Sequence, residues 1–350
     1  MFFGRKKKIK DRMLIVDVGT QYVKVLDLTV KKDQATLHNY RILNLIQSGR
    51  RFVIKEIGKI IKKSLLDMGI AEKYSLTSVA GKSVVVRFMD LPNMTIKELK
   101  SSLKYQADLH IPFDMNDAMY DCQILPDSTL PQGRMRVVVA AALKKEAIKV
   151  LEVIRSATLI PKKVDVDAMA LANAFVWGMS KEDEDQSLAL VNIGASRTNI
   201  TILKKGIPSL CRELNFGGIS LTESIASGLN ISFDEAEAKK IEGDSSISRY
   251  IEESIKPLCN GLAQSFDFFE GSVGTHVSHV YISGGGAQIR GMMDYLKNSL
   301  NRNVRIWNSL RSINIDSLPE REKELLQSNS PLLTVALGIG LGEGEKKGES

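Results

Sequence analysis

One short pattern occurs twice in this chain. Residues 16–25, VDVGTQYVKV, run as an apolar stretch to a glycine, turn and return as a second apolar stretch, and residues 191–200, VNIGASRTNI, do the same. The repeat pairs Val16 with Val191, Asp17 with Asn192, Val18 with Ile193, Gly19 with Gly194, and Lys24 with Asn199. A strand–turn–strand unit that recurs once in each half constrains the fold strongly. It predicts two related lobes, each opened by the same hairpin, with a cleft between them.

The segments around the hairpins fit that plan. Residues 12–45 read as a three-strand meander, and 53–70 place apolar residues on one helical face until Gly69 stops them. From about 82 to 156 a compact βαββα unit is inserted, its first helix opened by Thr95 and Glu98 in a capping-box pattern. A strand and helix follow at 161–179, and the acidic run SKEDEDQS (180–187) reads as a solvated connection. The second hairpin, helices across 217–270, the strand and glycine run YISGGG, and a last helix near 330–342 complete the chain. The expected division is a first lobe over 1–178, a second over 188–342, and a disordered tail over 343–350. Strands followed by helices in both halves make the class α/β, with mostly parallel sheets opened by antiparallel hairpins.

Composition excludes several functions. The longest apolar runs, VVVAAAL and LLTVALGIGLG, are far shorter than the ~20 residues a membrane span needs. No signal peptide follows the basic start MFFGRKKKIKDR, because Asp11, Arg12 and Asp17 interrupt any apolar region. Three scattered cysteines give neither a disulfide framework nor a metal site, which suits a reducing cytoplasm. The net charge of +7 is spread along the chain apart from residues 5–12, a cluster that is either a solvated end or a contact for anionic lipid. Nucleic-acid binding lacks an aromatic and basic platform.

The hairpins also suggest chemistry. Successive amides at a glycine turn form an anion-binding nest, and two nests facing each other suit an oligophosphate. Asp17, at the end of the first strand, fits a carboxylate that holds Mg²⁺ through water. Alone, Asp-x-Gly reads rather as a tight turn; its repetition reverses that and favours the site. Gly284, Gly285 and Gly286 offer a side-chain-free surface at an expected helix N-terminus, fit for phosphate or for a nucleoside. Glu237 and Lys240, at i and i+3, share one helix face and read from spacing alone as a surface ion pair.

The ordered set of hairpin (16–26), connecting segment (164–177), second hairpin (190–202) and glycine motif (280–291) resembles the actin-like ATPases, and the inserted unit at 82–156 resembles the FtsA-type branch. Narrower still, MFFGRKKK, the stretch DLPNMTIKELKSSLKYQADLHIPFDMNDAMYDCQIL (90–125) and PKKVDVDAMALANAF (161–175) are similar to the PilM family of type IV pilus assembly proteins. The resemblance implies an actin-like ATPase fold and an ATP-binding, Mg-dependent scaffold. It further implies a cytoplasmic protein, peripheral at the inner membrane through its partner, with the N-terminal cytoplasmic peptide of PilN as that partner, gripped near the inserted unit. Other inner-membrane assembly proteins are implied as neighbours, and self-association stays open.

Carried over residue by residue, the resemblance puts Asp17, Gly19, Thr20, Gln21 and Lys24 in the first phosphate motif. Asn192, Gly194, Ala195, Ser196 and Thr198 fall in the second. Glu237 and Lys240 lie toward the ribose or adenine, and Gly284 to Gly286 against the nucleoside. It implies Asp165 as the carboxylate that orients an attacking water, with Asp167 as the alternative. Asn192 stands where hydrolysing relatives commonly carry Asp, so nucleotide binding with weak or absent hydrolysis is expected. Two other readings are an FtsA-like filament protein, which the polar ending LGEGEKKGES disfavours, and a sugar-kinase-type phosphotransferase, for which the chain is short.

Overall fold

The computed structural model describes residues 11–47, 50–107, 111–126 and 130–344. The basic stretch 1–10 and the end 345–350, named above as lipid contact and tail, lie outside the described residues.

The first lobe opens with β1 (Arg12–Val18), β2 (Tyr22–Lys31) and β3 (Gln34–Asn44), then the short pair β4 (Ile46–Gln47) and β5 (Arg50–Arg51) and helix α1 (Ile54–Asp67). Strand β6 (Tyr74–Val79) leads to the inserted unit: β7 (Val84–Pro92), α2 (Ile96–Ala107), β8 (Ala118–Leu125), β9 (Arg134–Leu143) and α3 (Lys144–Ser156). Strand β10 (Ile160–Val166) and helix α4 (Asp167–Trp177) lead to the second lobe. That lobe contains β11 (Ser187–Ile193), β12 (Thr198–Lys204), β13 (Ile207–Leu214), α5 (Gly218–Leu229), α6 (Phe233–Glu242), α7 (Ser248–Val273), β14 (His279–Ser283), α8 (Met292–Leu300) and β15 (Asn303–Ile306). The chain closes with β16 (Ile313–Asn314), α9 (Glu320–Ser328) and α10 (Thr334–Leu341).

Two sheets carry the lobes, one ordered β10-β6-β1-β2-β3-β16 and the other β13-β12-β11-β14-β15. In each, an antiparallel hairpin sits beside parallel strands, as the repeat predicted. The class is the expected α/β, an actin-like arrangement of two related lobes about a cleft. A third sheet, β7-β9-β8, builds the inserted unit over its own core of Leu99, Leu103, Val137 and Val139. Its last helix, α3, joins the unit to the lobe. Ala147 packs with the small sheet's Val138 and Ala140, while Val153 and Ile154 enter the core formed by β1 and α1.

The division by sequence order needs correcting at three points. Helix α4 buries Leu171, Ala172 and Phe175 against Leu188, Leu190 and Tyr281 of the second sheet. Helix α10, expected in the second lobe at 188–342, packs Val335, Leu337 and Ile339 on Met13, Ile15 and Leu28 of the first. The lobes therefore exchange helices, and β16 adds to the edge of the first sheet. Close contact makes the exchange specific, since Gly338 lies against the Ala170 carbonyl, where a Cβ would come within 1.8 Å of the oxygen. The expected disorder from 343 onward also fails at its first residue. The Glu343 side chain is buried and ion-pairs with Lys163, which also holds Asp165 at 3.2 Å.

Among the described residues no helix is long and apolar enough to cross a membrane. The three cysteines are unpaired and buried.

Candidate functional site

The two hairpins end at the cleft in matching turns. Gly19 donates its amide to the Tyr22 carbonyl at 3.0 Å, and Gly194 donates to that of Arg197 at 2.8 Å. A Cβ at either glycine would sit 2.8 Å from the Tyr22 oxygen or 2.9 Å from the Arg197 oxygen, closer than a side chain tolerates. These two amides close the turns, so they are not the anion-binding donors of the expected nests. The turns touch across the cleft, with the Thr20 and Ser196 hydroxyls 2.8 Å apart. Helix α5 braces the second turn: Gly218 and Ile219 donate to the carbonyls of Gly194 and Ala195 at 3.0 and 2.8 Å.

Strand register decides what stands behind each turn. Asp17 lies opposite Lys24, and Asn192 opposite Asn199. In the first copy Lys24 Nζ bonds Asp17 Oδ2 at 3.0 Å. The second copy replaces both charges with amides, so the loss of the Asp is matched by the loss of the Lys. Ser283 donates its hydroxyl to Asn192 Oδ1 at 3.3 Å, fixing the amide from the neighbouring strand.

The connecting segment decides between the two aspartates. Asp165 is buried against Lys163 and accepts the Val166 amide, away from the cleft. Asp167, the first residue of α4, lines the cleft and accepts the Ser78 hydroxyl at 2.7 Å. Its carboxyl is pushed up to about 7, first by burial and then by the charge of Asp17. Asp165, the first choice from the sequence, therefore does not reach the cleft, and Asp167, the alternative, does. Thr198 is corrected likewise: its hydroxyl is buried and donates to the Phe216 carbonyl, whereas Asn199, one residue on, faces the cleft.

Glu237 and Lys240 form no surface pair. Lys240 is 6% exposed, and its ammonium donates to Glu237 at 2.5 Å, the Thr222 hydroxyl at 2.6 Å and the Gly218 carbonyl at 3.1 Å. Burial lowers its pKa more than Glu237 raises it. Gln21 reaches from the first turn to Glu237 at 3.4 Å, a second polar contact between the lobes.

The glycine run follows β14. Gly284 adopts φ +81°, and a Cβ there would meet the Ile193 oxygen at 2.4 Å and Asn192 Oδ1 at 2.7 Å, so only glycine fits. The run leads into a single 3₁₀ turn, Gly285–Gln288, and α8 begins only after Gly291. The expected phosphate seat at an α-helix N-terminus is therefore absent. The side-chain-free surface remains.

These elements enclose a cleft of about 690 Å³. It gathers every residue predicted from the sequence for nucleotide or metal except Thr198, and it adds Ser78, Arg197, Asn199, Gly218, Asn329 and Leu332. The FGG stretch before α5 carried a signal for Gly218, as a glycine pair between strand and helix. The lining holds Asp17, Asp167 and Glu237 against Lys24, Arg197 and Lys240, so its charges balance. No group of three or more His, Cys, Asp or Glu gathers as a metal cage among the described residues.

A second, more open groove of about 530 Å³ lies where the inserted unit meets the lobe, lined by Tyr120 of β8, Leu151 and Arg155 of α3, and Lys162 and Val164 of β10. Strands β8 and β10 are edges of their sheets.

The sequence model of a family described as type IV pilus assembly protein PilM matches residues 15–343. Among solved structures, a chain of a PilM-PilN type IV pilus biogenesis complex aligns with TM-score 0.84 at 26% identity, covering 97% of this chain and 100% of that one. The ethanolamine utilization protein EutJ from Carboxydothermus hydrogenoformans aligns with TM-score 0.55 at 16% identity, covering 96% and 91%. MreB5 of Spiroplasma citri bound to ADP aligns with TM-score 0.51 at 11% identity, covering 95% of each chain. At the two lower identities the likeness concerns the fold alone.

Proposed function

Because the chain belongs to the PilM family of type IV pilus assembly proteins, we propose that it is an assembly scaffold whose cleft holds ATP and whose inserted unit helps to grip a partner peptide. The observation that carries the nucleotide reading is the meeting of the two glycine turns, Thr20 against Ser196, at the mouth of a cleft floored by Gly284 to Gly286. Hydroxyls at 20 and 196 and amides around the turns suit phosphate oxygens, and the glycine run suits a flat base. Lys240 and Glu237 stand where the ribose would lie.

The charge balance of the lining favours a nucleotide that brings Mg²⁺, with Asp17 as the carboxylate nearest its water shell. That carboxylate is already shared with Lys24, so it orients water more readily than it binds metal directly. Asp167, held by Ser78 and titrating near neutrality, is the group positioned to take a proton from an attacking water. The neutral Asn192–Asn199 pair favours holding nucleotide over turning it over.

For the partner, the open groove beside β8 is the place where an extended peptide finds exposed strand edges, a recognition mode that uses main-chain hydrogen bonds. One solved relative is a chain of a PilM-PilN complex, and the N-terminal cytoplasmic peptide of PilN is the partner we assign here. Calorimetric titration of that peptide into the purified protein, with and without Mg-ATP, tests both parts. Saturable binding weakened by Tyr120→Arg is expected, and tighter binding with nucleotide shows coupling. No heat from the peptide removes the partner assignment, while no heat from Mg-ATP removes the nucleotide assignment.

A further inference from the structure

Among the described residues the cleft lining carries three cations, and they are not held alike. Lys24 is bonded to Asp17 at 3.0 Å, and Lys240 is buried among Glu237, Thr222 and Gly218. Arg197 is the third. Its side chain is 27% exposed, donates to the Asn215 side chain and lies 3.5 Å from the Glu213 carboxylate, the loosest ion pair of the three.

Position sets what Arg197 can reach. It is the last residue of the second glycine turn, its carbonyl tied to the Gly194 amide, so its backbone is fixed while the side chain keeps its own torsions at the cleft wall. The repeat puts Tyr22 at the matching place of the first turn, so this charge belongs to the second copy alone. Glu213 pairs in register with Asn199, whose side chain faces the cleft, and the two stand on the same face of their sheet. Its other oxygen accepts the Gly81 amide at 3.0 Å. Glu213 feels the charge of Lys82, and its own charge acts on Asp167, so Arg197 and Glu213 lie toward the Asp167 end of the cleft.

We propose that Arg197 distinguishes a nucleoside triphosphate from a diphosphate, its guanidinium leaving Glu213 to bind the terminal phosphate. This rests on the nucleotide reading of the cleft. A guanidinium grips phosphate oxygens through paired, charge-assisted hydrogen bonds, which outweigh a 3.5 Å contact with one carboxylate oxygen. When Arg197 leaves, Glu213 keeps the Gly81 amide and the nearby Lys82, so the exchange strands no buried charge. A diphosphate ends short of Asp167 and leaves the ion pair in place.

Titration calorimetry of the full chain with Mg-ATP and with Mg-ADP, for the wild type and three variants, tests this. The wild type should bind the triphosphate more tightly. Arg197→Gln should weaken Mg-ATP by about ten- to a hundred-fold, the worth of a hydrogen bond to a charged group, and leave Mg-ADP within about two-fold. Arg197→Lys, which keeps the charge without the fork, should fall between them. Glu213→Gln keeps an acceptor for Gly81 and frees the guanidinium, so the preference for triphosphate should grow. If Arg197→Gln weakens both nucleotides alike and melts earlier, Arg197 is only a brace of the turn and the proposal falls. An unchanged or smaller preference in Glu213→Gln overturns it too. A wild type that binds neither nucleotide removes the reading of the cleft itself, whereas equal affinity of the wild type for both removes only the role of Arg197.

Discussion

Replacing Asp167 by Asn should make the protein more stable, and only above acidic pH. An acid whose folded pKa lies above its ordinary value of 3.8, here at about 7, holds its proton more tightly folded than unfolded. Stability therefore falls as pH rises from about 4 to about 7, and the loss persists above that range. The shift of about three units corresponds to about 4 kcal/mol in full. Water entering the cleft reaches the half-buried side chain, so roughly half of that, about 2 kcal/mol, is the reasonable expectation. Asn keeps the oxygen that accepts the Ser78 hydroxyl and has no charge to desolvate. Urea denaturation across pH should show Asp167→Asn about 2 kcal/mol more stable than wild type at about pH 8, and equal to it at about pH 4. A difference independent of pH, or a variant destabilised throughout, would refute the assignment of Asp167 as a buried, charge-coupled carboxyl. Any hydrolysis of ATP should be lost in the same variant.

Asn192→Asp buries a carboxylate opposite Asn199 with no cation, so it should cost about 2 kcal/mol without ligand, and adding Asn199→Lys should recover most of it by rebuilding the pair seen at Asp17 and Lys24. With magnesium present, the restored charge should raise any ATPase rate, measured by phosphate release. Glu343→Gln removes one of the two carboxylates on buried Lys163 but leaves its pair with Asp165, so chemical denaturation should register a loss of about 1.5 kcal/mol. Gly284→Ala forces a Cβ against the Ile193 carbonyl at a φ that disfavours it, so its melting temperature should fall, by about 3 kcal/mol in stability.

The twin hairpins were legible because alternation, glycine and repetition all agree there, and the structure places both turns in one cleft. The choice between Asp165 and Asp167 was not. The two sit on either side of the strand-to-helix junction at Val166, and which one reaches the cleft depends on Lys163 and Glu343, the latter 180 positions away. Thr198 against Asn199 was within reach of the sequence, since the alignment already paired Asn199 with Lys24 and adjacent strand residues face opposite ways. The helix exchange was invisible for another reason. Helix α10 is apolar on all sides, so no amphipathic stripe says which sheet it covers. Glu237 and Lys240 had the spacing of a surface pair, and only the packing of α5 against α6 buries them.

The central claim is that the cleft between the turns holds a nucleotide, and Gly285 offers the most direct test. A Cβ there meets only Leu332 Cδ2, at 3.6 Å, and the backbone needs no positive φ, so Gly285→Glu should fold as the wild type does while filling the cleft with a charged side chain. Titration calorimetry with Mg-ATP should give one-site binding for the wild type and no binding for Gly285→Glu, with equal melting temperatures in the absence of nucleotide. Equal binding by both proteins, or none by the wild type, contradicts the account.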